Sequence, residues 1–246
     1  MFCTFSAQQN LRFDSLKLKD TKDFFADDYG NMYLYKNKDF TLTKYDSLGA
    51  QKGQLMLTLP FKIQSVQNPL TIPTFSENAQ ELKFFDQNLN EIQTLNFRQK
   101  FGFIRHIYAE DLQQIWLLEE STKRLIQYNF RDDRIINSYP YFIDFEKILD
   151  ILVFENQFFV LTKTEFLVYN FKGEKLYSIS VDQGKKLRRE NQKILIIGTN
   201  TIFNWEKSLL KPIFFAENAQ IVDKNSTTNF VFKDNKLYLY PIQKDK

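Results

Sequence analysis

The sequence is poor in the side chains that most often carry chemistry and in those that most often build turns. It holds one Cys and one His in 246 residues. Cys3 has no intramolecular partner, so no disulfide framework holds the fold. A chain without bridges fits the cytosol, and equally an envelope protein large enough to be stable without them. A zinc site, a Cys-His nucleophile or a Ser-His-Asp relay would draw on side chains that occur here once or not at all. No run approaches the ~18 apolar residues that a membrane-spanning helix requires. Seven Gly and six Pro exclude collagen-like structure and leave the turns to other residues. Neither sign of charge dominates, with 33 basic against 30 acidic side chains. Aromatic residues are abundant instead: 26 Phe, 12 Tyr and 2 Trp within a 43% hydrophobic chain, enough apolar surface for the core of one large or two small domains.

A faint repeat orders these aromatics. A bulky apolar residue, two intervening positions, an aromatic and then a polar or turn residue recur at Leu42 with Tyr45-Asp46, Leu82 with Phe85-Asp86 and Leu125 with Tyr128-Asn129. The series continues at Phe166 with Tyr169-Asn170, Ile202 with Trp205-Glu206 and Leu237 with Tyr240-Pro241. The aromatics step by 40, 43, 41, 36 and 35 residues, at or slightly below the length of a four-stranded propeller blade. Each unit has a polar turn cluster upstream: Asp27-Asp28-Tyr29-Gly30-Asn31, Gln67-Asn68-Pro69, Glu110-Asp111, Glu155-Asn156 and Glu190-Asn191. In the last unit the cluster is Lys233-Asp234-Asn235 or the earlier Asp223-Lys224-Asn225. Asn and Asp tolerate left-handed backbone geometry and bond their own main chain, so they serve where Gly is scarce.

Short runs rich in β-branched and aromatic residues lie between the markers, at 31–35, 114–118, 158–162, 193–197 and 229–232. They read as strands of an antiparallel all-β fold. Residues 112–130 carry some helical spacing but span both a strand-like run and the aromatic Tyr128, and read as a hairpin. Six units of this length imply blades stacked into a ring, a six-bladed β-propeller. The sixth unit stops at Tyr240-Pro241-Ile242-Gln243, without the outer strand that the others have at 54–59, 92–97 and 176–181. The N-terminal stretch 11–18 alternates apolar and polar residues and is expected to complete blade six, removing an open sheet edge.

Asp28-Tyr29-Gly30-Asn31-Met32-Tyr33-Leu34, followed by residues 42–49 around Tyr45-Asp46-Ser47-Leu48-Gly49, resembles the strand, turn and strand signature of NHL-type and related six-bladed propellers. The whole chain resembles uncharacterised secreted propeller-like proteins of the Bacteroidota. The signature is explicit in blade one, while units two to six keep the aromatic and the turn but lose the Gly-Asn pair. What the resemblance implies is a fold; it carries no activity. Lactonase- and esterase-type six-bladed propellers, also similar in architecture, hold calcium in the central channel with Glu, Asn and Asp. That resemblance points to Asp150, Asp223, Asn68, Glu110 and Asp111. Nearly all stand at the turn clusters, where such residues serve the backbone, so no metal or other cofactor is expected.

His106 lies on the expected inner strand of blade three. With no second His, no nearby Cys and no orienting acid it reads as a packed strand residue rather than a base. The one dense charge run is Lys185, Lys186, Arg188 and Arg189, placed in the connection into blade five. These four form a candidate patch for an anionic partner, although most such runs are solvated loops and no paired aromatics accompany this one, so nucleic acid is not the expected ligand. The repeat aromatics Tyr45, Phe85, Tyr128, Tyr169, Trp205 and Tyr240 read as blade-packing residues.

Residues 1–7 are apolar and small, and Thr4-Phe5-Ser6 supplies the small-x-small pattern that signal peptidase reads. They are expected to be the remnant of a signal peptide, with a single propeller domain over 8–246. A frayed start of a cytoplasmic chain is the alternative. The expected function is a non-catalytic scaffold binding a protein partner in a periplasmic or outer-membrane assembly. The alternative is a calcium-dependent hydrolase or lyase of the lactonase-like type.

Overall fold

The computed structural model describes residues 18–206 and 208–242. They form six antiparallel sheets with almost no helix, the exception being one turn of 3-10 helix at Phe145–Lys147. Five sheets have four strands in sequential order and the sixth has three. This is a six-bladed β-propeller. The first strands of the blades, Thr21–Ala26, Lys62–Ile63, Ile104–Ala109, Ile148–Phe154, Gly184–Glu190 and Ile221–Lys224, line the centre of the ring. The outer strands, such as Gln51–Met56 and Lys175–Ser180, are largely exposed.

Turn chemistry explains why the repeat reads as it does. In the first four blades the polar residue after the aromatic caps the turn from third to outer strand. Asp46 Oδ1 accepts from the Leu48 and Ala50 N–H groups at 3.0 and 2.9 Å. Asp86 does the same for Asn88 and Asn90, Asn129 for Arg131 and Asp132, and Asn170 for Lys172 and Glu174. The upstream clusters are the turns between first and second strands. There Glu155 and Asn156 take φ of 47° and 58°, the pair of positive angles that a two-residue hairpin turn of the favoured twist needs. In the last unit the equivalent turn is Asp223-Lys224-Asn225, while Asp234 and Asn235 make the next one, at φ of 53° and 56°. Residues 112–130 form the expected hairpin, Gln114–Glu119 against Arg124–Asn129.

The core is a cycle of six interblade layers. Each repeat aromatic packs with the preceding blade: Tyr45 with Phe230 and Leu237, Phe85 with Tyr33 and Leu42, Tyr128 with Phe75 and Leu82. Tyr169 meets Trp116 and Leu118, the half-buried Trp205 meets Phe166 and Val168, and Tyr240 packs on Leu195 and Phe214. Blades one and six meet directly at the closure. Ala26 N–H donates to Asp223 Oδ2 at 3.3 Å, Asn225 Nδ2 to the Asp27 carbonyl at 2.9 Å, and Ser226 N–H to Asp28 Oδ1 at 2.7 Å. Leu18, fully buried, sits in the same layer with Phe24, Phe230 and Phe232. All but Leu18 of the strand expected at 11–18 to complete blade six, and the signal-peptide remnant expected at 1–7, lie outside the described residues.

Candidate functional site

The pairing of first on second strands places one residue from each blade at an equivalent level of the channel wall. Asp23 lies opposite Tyr35, Lys62 opposite Phe75, His106 opposite Leu118, Asp150 opposite Leu161 and Lys186 opposite Ile197. Blade six has Ile221 opposite Phe232 at that level and offers its acid, Asp223, two residues further on. Intervening residues Phe24, Ile63, Ile107, Ile151 and Leu187 are buried between blades, as strand alternation requires. Two lysines, two aspartates and the only histidine therefore share one level of the ring.

These groups satisfy one another across the channel. Lys62 Nζ reaches Asp150 Oδ1 and the Leu149 carbonyl, both at 2.7 Å, spanning from blade two to blade four. Asp150 Oδ2 accepts the Leu187 N–H of blade five at 2.7 Å. Lys186 Nζ donates to the Phe24 carbonyl at 2.9 Å, contacts Asp223 Oδ2 at 3.4 Å and Asp23 Oδ1 at 3.5 Å, and lies 3.9 Å from the centre of the Phe25 ring. Arg188 Nη1 contacts Asp223 Oδ1 at 3.4 Å and donates to the Lys224 carbonyl. Arg188 Nε lies 2.9 Å from Glu190 Oε1, and Glu190 in turn pairs with Lys224. The Asp223 and Arg188 side chains are 2% and 7% exposed, so either charge without its partner would carry a desolvation cost of several kcal/mol, roughly.

The charge run 185–189 needs a correction of place. It is the innermost strand of blade five, Gly184–Glu190, rather than a connection into that blade. Strand alternation beyond a register irregularity between Gly184 and Lys186 divides the four cations. Lys185 is exposed and donates to the Gln220 carbonyl at 3.1 Å. Lys186 and Arg188 turn into the channel. Arg189 donates from Nε to the Asn191 carbonyl at 2.9 Å and stacks on Phe154, its guanidinium carbon 3.9 Å from the ring centre.

A cavity of about 750 Å³ opens from this network to the face that carries the turns between first and second strands. Gln67 crosses it, donating from Nε2 to the Arg189 carbonyl at 2.8 Å. The acids at the mouth are committed to their own turns. Glu110 Oε2 accepts from Trp116 Nε1 at 3.0 Å, and Asp111 Oδ1 from the Gln113 and Gln114 N–H groups at 2.6 and 2.7 Å. Asn68 Oδ1 accepts the Leu70 N–H at 3.1 Å. Calcium needs six to eight oxygens. The five residues that a lactonase-like site would use are each bonded elsewhere, and among the described residues no three His, Cys, Asp or Glu side chains come together. The donor set does not fit that ion. His106 is likewise held out of acid-base work near neutral pH. Burial and the neighbouring Lys62, then Arg105, push its pKa down to about 3 against a hydrogen bond with the Ile148 backbone, so the imidazole is neutral.

Lys62 and Asp23 belong to no motif of the sequence, and Glu190 and Lys224 stand there only as turn residues. A signal for the channel level does exist: Asp23, Lys62, His106, Asp150 and Lys186 each stand four or five residues ahead of their unit's turn cluster. It becomes readable only once the strands and their bulges are aligned.

No protein-family model matches the chain, and no curated protein matches its sequence. Among solved structures, a streptogramin B lyase is similar with a TM-score of 0.57 at 12% identity, over 92% of this chain and 84% of that one. BamB from Moraxella catarrhalis aligns with a TM-score of 0.41 at 11% identity, over 90% of this chain and 71% of that one. At 12% identity the likeness to the lyase is one of fold.

Proposed function

We propose that the chain is a non-catalytic propeller scaffold that binds a protein partner as a component of a bacterial cell-envelope assembly, in the periplasm or at the outer membrane. The observation that carries the non-catalytic reading is the pairing of the two central carboxylates of the channel. Asp150 and Asp223, the carboxylates best placed to hold a metal or move a proton, are neutralised by Lys62, Lys186 and Arg188 and bonded to the Leu187 and Ala26 N–H groups. Buried pairs of this kind fix geometry more than they add stability, which suits a rigid disc.

The rim offers contact surface. Phe142 is 93% exposed in the connection from blade three to blade four, and Leu209, Ile213 and Phe215 are exposed on the outer strand of blade five. Exposed bulky apolar side chains are the usual anchors of protein interfaces. No helix among the described residues is long and apolar enough to cross a membrane.

The test is purification of the native protein from membranes under mild detergent. Stoichiometric protein partners that are lost on Phe142→Asp or Phe215→Asp substitution would support the scaffold. A calcium-dependent rise in melting temperature, with hydrolase or lyase turnover abolished by Asp150→Asn, would replace it with the enzyme.

A further inference from the structure

We infer that the channel is a receptor for a single carboxylate, with Arg188 as its anchor. The proposal rests on the partner-binding reading only for the source of that carboxylate, a partner's C-terminus or acidic side chain; a free small carboxylate is the other source of the same chemistry.

Arg188 is 7% exposed and lines the cavity. Its Nη1 is occupied by the Lys224 carbonyl and Asp223. Its Nη2 is closed from solvent and has no acceptor, and its Nε and Glu190 Oε1, 2.9 Å apart as an ion pair, also lack a well-aligned hydrogen bond. A buried N–H of a charged group without an acceptor costs about 1–3 kcal/mol or more, and an orphan of that kind in a native structure calls for an acceptor the fold itself does not supply. In the proposed complex the guanidinium turns to present Nη2 to the cavity that Arg188 lines, with the Nη1 bonds kept.

Charge selects the class. Beside Arg188, Asp150 is paired with Lys62, Asp223 with Lys186 and Arg188, and Glu190 with Arg188 and Lys224, while Arg189 adds a further cation to the wall. One further negative charge is tolerated on a guanidinium fork, whereas a polyphosphate or a nucleic-acid backbone would be driven against three carboxylates. The cavity volume of about 750 Å³ admits a short peptide end or a small organic acid. Gln67, whose Nε2 is fixed on the Arg189 carbonyl, forms part of the wall such a ligand passes.

The experiment titrates the intact protein at constant ionic strength with acetate, with N-acetyl-triglycine as free acid and as amide, and with inorganic phosphate. Binding is read by calorimetry and by the guanidinium NMR resonances of Arg188. Acetate and the free-acid peptide should bind, the amide should not, and Arg188→Gln should weaken binding at least tenfold. Where Arg188→Gln fails to fold, Arg188→Lys keeps the charge without the fork and should show the same loss. Binding of acetate without the peptide would assign the site to a free carboxylate. No response to either acid, an unchanged affinity in the variants, phosphate binding as tightly as acetate, or a crystal grown in acetate with only an ordered water on Nη2 would overturn the proposal. Partner recovery from membranes is measured separately, so the scaffold can fail while the carboxylate site stands, and the reverse.

Discussion

Lowering the pH from 8 to 5 titrates one kind of side chain, and this protein has a single copy of it, His106. In the unfolded chain that imidazole has an ordinary pKa of about 6.5. In the fold it is pushed down to about 3 by burial and by Lys62. The unfolded state therefore binds a proton that the folded state refuses, and stability rises with pH wherever that difference holds. The contribution is complete above pH 6.5 and is lost progressively as the pH falls toward 3. At pH 5 the loss is about 2 kcal/mol, from roughly one and a half pK units at ~1.4 kcal/mol each. For a domain of this size that is a fall of roughly 4–8 °C in melting temperature. The assay is urea unfolding at pH 8, 7, 6 and 5, for the wild type and for His106→Gln, with the histidine ring protons followed by NMR. The variant should show a nearly flat profile across that window, because carboxylates titrate lower. A ring that titrates near 6.5 in the folded protein, or the same pH slope in the variant, would refute the placement of His106 against Lys62 and Ile148.

Other consequences are equally open to measurement. Asp223→Ala takes from Lys186 and Arg188 the buried carboxylate they share, leaving them Asp23 and Glu190, and should cost about 3–5 kcal/mol in equilibrium unfolding; the double variant Asp223→Leu with Arg188→Met should recover part of it, and additive losses would deny the coupling. Tyr45→Ala and Tyr169→Ala each open an interblade layer and should cost about 3–5 kcal/mol, whereas a loss below ~1 kcal/mol would mean the ring is not sealed there. Leu18→Ala removes a fully buried side chain from the layer shared by blades one and six and should cost about 2–5 kcal/mol; an unchanged denaturation midpoint would separate the N-terminal segment from the closure. Glu119 is held below the usual carboxylate range although burial works to raise it, because Thr122 and Ser121 donate to it. Its stabilisation should be present above pH ~4.5 and lost as the pH falls through its lowered folded value, and Glu119→Gln should remove that part of the acid limb.

The fold was legible because its cause is local and repeated. The aromatic and the Asp or Asn after it recur since every blade needs one interblade filler and one turn cap, as Asp46, Asp86, Asn129 and Asn170 show. Scarcity of Gly was legible for the same reason, since Asn156 and Asn235 take the positive φ. The closure was half legible. Residues 11–17 lie beyond the described structure, while the clasp of Asn225 and Ser226 on Asp27 and Asp28 joins residues almost two hundred positions apart and leaves no pattern in either segment.

The sequence by itself determined the ring: six units, their strands, their turns and their aromatic layers follow from spacing and residue type. Only the tertiary structure decided what the centre contains. Lys185, Lys186, Arg188 and Arg189 read alike along the chain, yet their place on the innermost strand of blade five turns Lys186 and Arg188 into the channel and leaves Lys185 outside. Whether a charge is solvated, paired or left with an unmet N–H depends on which strands face it across the ring. That is settled by closure, which no local stretch of sequence encodes.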